Sequence, residues 1–151
     1  MSLRILSSIC TFIIAVASCA GETLEGTCSL IYQKKDAKAE HTVEFGKIVK
    51  GKCQFVLTDF FGESSVIANG EFENTGSQKM NFHYYVAFFD KSKRMLGAAA
   101  YSNSGKYGVI GPGQKTRASS CIIRIPDDLR DQISSYQVTF YESEYIEAVK
   151  K

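Results

Sequence analysis

Between Val66 and Asp90 the chain alternates twice. Val66, Ala68, Gly70 and Phe72 share one parity, and Asn69, Glu71 and Glu73 take the other. Successive side chains of a strand point to opposite faces, so this pattern predicts a strand with one buried and one wet face. Asn74-Thr75-Gly76-Ser77 follows with residues that tolerate positive φ or bond their own backbone, which marks a turn. Phe82, Tyr84, Val86 and Phe88 then face one way and His83, Tyr85, Ala87 and Phe89 the other. With both faces apolar and the run rich in aromatic residues, a central strand is expected, packed on one side and at least partly covered on the other. The whole stretch is predicted as a core hairpin.

Weaker patterns fill in the rest. Thr27 to Gln33 reads as a short strand, and the charged run from Lys34 to Glu40 as a loop. Thr42–Phe45 and Ile48-Val49 have weak strand character, interrupted by Gly46 and Gly51. Gln54 to Phe61 is a better strand and ends in the turn Phe61-Gly62-Glu63-Ser64. Met95 to Tyr101 and Arg117 to Ile125 are further strands, the first with small side chains at Gly97-Ala98-Ala99-Ala100. Pro126 to Ile133 predicts one short helical turn, with proline at its first position and acids near its start. Ser135 to Tyr141 closes the fold, and the residues from Glu142 to Lys151 are expected to fray. The pattern as a whole is all-β and antiparallel.

The first residues read as an address. One basic residue, Arg4, precedes an apolar run from Ile5 to Val16. That run is shorter than the roughly 20 residues a spanning helix needs and fits the core of a signal peptide. Val16-Ala17-Ser18-Cys19 resembles a bacterial lipobox, which implies a lipid on the thiol of Cys19 and attachment to a membrane. Ser18-Cys19-Ala20 also satisfies the small-x-small rule for ordinary cleavage after Ala20, giving a secreted chain. Either route puts the mature protein outside the cytoplasm. The expected organisation is a signal peptide over 1–18, a tether and polar loop over 19–39, a folded domain over 40–142 and a tail over 143–151.

Charge and candidate chemistry narrow the function. Eighteen Lys and Arg against sixteen Asp and Glu, interspersed, argue against a nucleic-acid partner. With Cys10 in the signal and Cys19 lipidated, Cys28, Cys53 and Cys121 remain. A compartment that permits disulfides allows one internal pair among three. If a pair forms, Cys53–Cys121 is the first choice, both thiols being expected to face the core, and Cys28–Cys53 the second; the competing expectation is three free thiols, buried ones acting as small apolar residues. No metal is expected, since there is no CxxC pair and neither His41 nor His83 lies at ligand spacing from a cysteine. Gly108 to Thr116 approaches a phosphate-binding loop, but Gln114 separates Gly113 from Lys115 and a strand follows instead of a helix. Nucleotide binding is therefore not expected, and no other cofactor is indicated. His83, Tyr85, Phe89 and Tyr141 share a face if their strands are neighbours, and such a face can bind a protein partner. Burial under segment 27–50 or against an opposing sheet is the competing expectation.

The order Gly-x-Phe-x-Asn-Thr-Gly (70–76), Val86-Ala87-Phe88-Phe89-Asp90, Leu96-Gly97 and Ile110-x-Pro-Gly resembles the FxLYD-type immunoglobulin-like domains of bacterial envelope lipoproteins, over roughly Gln54 to Tyr141. Phe72 stands where a smaller aliphatic is usual, Phe89 replaces a tyrosine, and a Lys-rich turn replaces Asp-Gly. The resemblance implies an immunoglobulin-like β-sandwich, here with the short helical turn before its last strand, and an envelope location without catalytic residues. The expected function is a non-catalytic interaction or structural module of the cell envelope that contacts another envelope protein. The alternative is a small-ligand-binding or sensory lipoprotein.

Overall fold

The computed structural model describes residues 20–34, 36–102 and 109–147, with backbone only at 20 and 117–119. The expected signal peptide over 1–18, Cys19 and the last four residues lie outside the described residues. Among the described residues eight strands form: β1 (Ala20–Thr27), β2 (His41–Phe45), β3 (Val49–Phe60), β4 (Glu63–Asn74), β5 (Met80–Phe89), β6 (Met95–Ser102), β7 (Lys115–Arg124) and β8 (Ser135–Glu144). A single 3₁₀ turn, Arg130–Gln132, precedes β8. They make two antiparallel sheets, a front sheet in the order β1-β8-β5-β6 and a back sheet in the order β2-β3-β4-β7. The arrangement is all-β and sandwich-like, consistent with an immunoglobulin-like domain.

The inward parity of both sheets supplies the core. Phe55, Leu57, Val66 and Ala68 from the back sheet meet Phe82, Tyr84, Val86, Phe88 and Val138 from the front, all fully buried. Phe72 stacks on Phe82 at 4.2 Å between centroids, Phe45 meets Phe140 at 5.0 Å, and Phe55 meets Phe88 edge-on at 5.0 Å. Aromatic pairs at these separations contribute beyond the area they bury.

The predicted hairpin over Val66–Asp90 is corrected. Its two strands exist, but β4 pairs with β3 and β7, and β5 pairs with β6 and β8. The link between them crosses from the back sheet to the front. Buried Asn74 directs that crossing: its Nδ2 donates to Gln78 O at 2.7 Å and Ile110 O at 2.9 Å, while its Oδ1 accepts from Gly76 N–H. Gly113 N–H, in the Pro-Gly turn, donates to Asn74 O at 2.8 Å. Turn chemistry at 74–77 was legible, but turn residues alone do not say which sheet the chain enters next. The hairpin partner of β4 is β3, the two being closed by Phe61 (φ 51°) and Gly62 (φ 81°). Both lie in the left-handed region, as a two-residue hairpin turn requires.

The tether is the second difference. Residues 20–27 are a strand, paired with β8 from Ala20↔Glu142 to Thr27↔Ser135. Leu24 alone packs an aliphatic side chain on the core, so the segment has no apolar run to announce it. The ladder to β8 holds it instead, with Glu22 Oε2 accepting from Gly46 N–H at 2.8 Å. The short strand expected over Thr27–Gln33 is irregular beyond Thr27. Residues 142–144 complete β8 where fraying was expected, and Glu142 is only 3% exposed.

Candidate interaction face

Among the described residues, no strand packs over the outer face of the front sheet. Tyr85 is 49% exposed and Tyr141 40%, while His83, Ala87 and Phe89 on the same face of β5 are half-buried, so the second face of β5 is partly covered and is barest at Tyr85. His83 on β5 pairs directly with Tyr141 on β8, and the rings of Tyr85 and Tyr141 meet edge-on, 6.3 Å between centroids. Phe89 has the same parity, four residues along β5 from Tyr85 and opposite Ser135. It is half-buried at the far end of the face. The four residues share one face, and Tyr85 and Tyr141 are the pair in contact.

Sequence reasoning missed what lies beside the tyrosines. Ala98 pairs with Ala87 and Ala100 with Tyr85, and their small side chains leave a shallow hollow of about 410 Å³ bordered by Tyr85, Met95, Gln137 and Thr139. The signal was the run Gly97-Ala98-Ala99-Ala100, whose outward positions carry only methyl groups. The lining is uncharged. One aromatic wall, Tyr85, beside a floor of alanines suits contact with a protein surface.

The back sheet presents the opposite chemistry. Across its strands Glu44, Lys52 and Glu71 stand in one row, and Lys50, Glu73 and Lys115 in another. They border a depression of about 680 Å³. Lys115 and Glu73 close to 3.1 Å, and Lys50 Nζ donates to Gly46 O at 3.1 Å. Opposite charges in adjacent positions stabilise such a surface and solvate it.

The cysteines follow the free-thiol expectation and not the bridged one. Cys28, Cys53 and Cys121 are buried and free, so the Cys53–Cys121 bridge is not formed. Cys53 lies opposite Gly70 and Cys121 opposite Ala68, with β4 between them. Two strand spacings and a two-residue offset along β4 put their Cα atoms more than about 10 Å apart, beyond what a disulfide spans. Their common inward parity was legible; the intervening strand was not. Burial pushes the Cys53 thiol up to about 12 and the Cys28 thiol up to about 11. Burial also raises Cys121, which is hydrogen-bonded to Tyr84, whose phenol is raised too, first by burial and then by Cys121. Thiols held neutral in this way are poor nucleophiles.

His41 packs between rings, 5.7 Å from Phe55 and 4.9 Å from Tyr136. Among the described residues, no group of three or more His, Cys, Asp or Glu is placed to hold a metal ion, and no helix is long and apolar enough to cross a membrane. No model of a known protein family matches the chain, and no curated protein matches it.

Proposed function

We propose that this protein is a non-catalytic interaction or structural module of a bacterial cell envelope, carried outside the cytoplasm on a lipid at Cys19. The observation that carries the reading is the exposed Tyr85–Tyr141 pair beside an uncharged hollow, on the sheet face that no described strand packs over. Large exposed apolar and aromatic patches on a folded domain mark contact sites. The partner in this reading is another envelope protein, met by the front sheet.

The likeness to FxLYD-type domains supports the same reading through residues with structural jobs. Asn74 and Gly76 set the crossing between sheets, Gly113 docks on Asn74, and Asp90 closes the β5–β6 turn by accepting from Ser92 N–H at 2.8 Å and Arg94 N–H at 2.9 Å. The buried thiols and the ring-packed His41 support a non-catalytic role, because each is committed to the core.

A second reading, binding of a small polar ligand, is favoured by the back-sheet depression with its alternating Glu and Lys. The readings part on mutation: Tyr85→Ser harms the first, and Lys52→Glu the second.

Metabolic labelling with palmitate tests the anchor. Wild-type chain takes up label and Cys19→Ala does not. An unlabelled wild type removes the anchored half of the proposal and leaves secretion.

A further inference from the structure

One end of the sandwich gathers the start of β1, the β2–β3 turn, the β4–β5 link and the end of β8. Cys19 is joined by a single peptide bond to Ala20, the first residue of β1, and consecutive Cα atoms lie about 3.8 Å apart. A lipid on Cys19 therefore leaves no spacer between membrane and domain. Ala20 pairs with Glu142, whose carboxylate accepts from Ile48 N–H at 3.1 Å, so Ile48 sits at this same end. Its side chain is 43% exposed and lies over Gly76, where an added Cβ would come within 2.6 Å of its Cγ2. Ile146 is 71% exposed just beyond β8, in a segment held to the β4–β5 link by Tyr145 N–H donating to Lys79 O at 2.8 Å.

We infer that this end of the sandwich rests on the bilayer that holds the lipid, with Ile48 and Ile146 dipping into the membrane interface. The inference rests on the anchored reading of Cys19 and adds an orientation to it. Two isoleucines left bare beside an anchor lose water-exposed apolar surface when the interface covers them. Lys47 and Lys79 flank them and Glu144 and Glu147 are exposed nearby, so charge is balanced and apolar contact is the attraction. The lysine stems are long enough to keep their ammonium groups among the headgroups while the isoleucines enter. β3 runs twelve residues from this end to the β3–β4 turn, which places Phe61 about 40 Å from the membrane, at the outer tip.

The chain has no tryptophan, so Ile48→Trp, Ile146→Trp and Phe61→Trp each introduce a single reporter at an exposed site. Each full chain is expressed with labelled palmitate, purified and reconstituted into phosphatidylcholine vesicles brominated on the upper acyl carbons. The expected result is a blue shift and loss of emission for Ile48→Trp and Ile146→Trp, with Phe61→Trp indifferent to bromine. Emission untouched by bromine at either isoleucine position, or quenching of Phe61→Trp, in a chain labelled at Cys19 overturns the orientation while the anchor stands. A chain without label at Cys19 overturns both.

Discussion

Oε2 of Glu142 accepts a hydrogen bond from the backbone N–H of Val49 at 2.7 Å, joining residues 93 apart in the chain. The same carboxylate accepts from Lys47 N–H at 3.3 Å and from Ile48 N–H at 3.1 Å. The front sheet thus holds the turn of the back sheet's first hairpin through a side chain only 3% exposed.

Losing that carboxylate strands several donors. A buried group left unsatisfied costs about 1–3 kcal/mol, and bonds to a charged acceptor lie at the upper end. Glu142→Ala is therefore expected to destabilise the unanchored Cys19→Ala chain by about 3 kcal/mol in urea unfolding. Glu144→Ala, at an exposed position on the same strand, is expected to stay within about 0.5 kcal/mol.

The cysteines predict a pH dependence. Cys53 is raised by burial from 9.0 to about 12, and Cys28 from 9.0 to about 11. The folded state therefore holds these protons more tightly than the unfolded chain does. Stability from the neutral thiols is fully present below pH 9 and is lost as pH rises from there through the folded-state values. Tm is expected to fall over that window, and to fall less steeply in Cys53→Ala than in the parent. Because the thiols are free, alkylation under non-reducing conditions modifies Cys28, Cys53 and Cys121 after denaturation and leaves all three largely untouched in the folded chain. A Cys53–Cys121 disulfide would leave Cys28 alone reactive.

Phe61 is a residue whose replacement should help. It is 90% exposed and sits at φ 51° in the β3–β4 turn. The left-handed region costs a side chain with a Cβ roughly 1–2 kcal/mol, and asparagine or glycine suits this turn. Phe61→Asn is expected to stabilise the domain by about 1 kcal/mol, read from the shift in the urea midpoint.

What the sequence disclosed followed the strength of its alternation. The parity of Val66–Phe72 was plain, because Asn69, Glu71 and Glu73 mark its wet face, whereas Phe82–Phe89, apolar on both faces, announced a central strand by its β-branched and aromatic content. The pairing of those strands was not plain, since Asn74 and Gly76 announce a turn equally well inside one sheet or between two. β1 was hidden for the opposite reason: an edge strand held mainly by its backbone ladder needs few apolar residues, and Leu24 alone gives no period. Gly51 was read as an interruption, yet β3 runs through it, because an added Cβ there would come within 2.5 Å of the Phe45 ring. Tyr85 and Tyr141 share a face because β5 and β8 are neighbours; the hollow beside them depends on cross-strand register, which places Ala98 and Ala100 next to Ala87 and Tyr85.

The most direct test of the account is a contact map made in the living cell. A photo-crosslinking amino acid replaces Tyr85 on the front sheet or Ile122 on the back sheet, both exposed positions, in the full chain. The account predicts a discrete higher-mass adduct from position 85, lost when Ala100→Lys fills the hollow beside it, and none from position 122. No adduct at 85, or the same adducts from both positions, would contradict it.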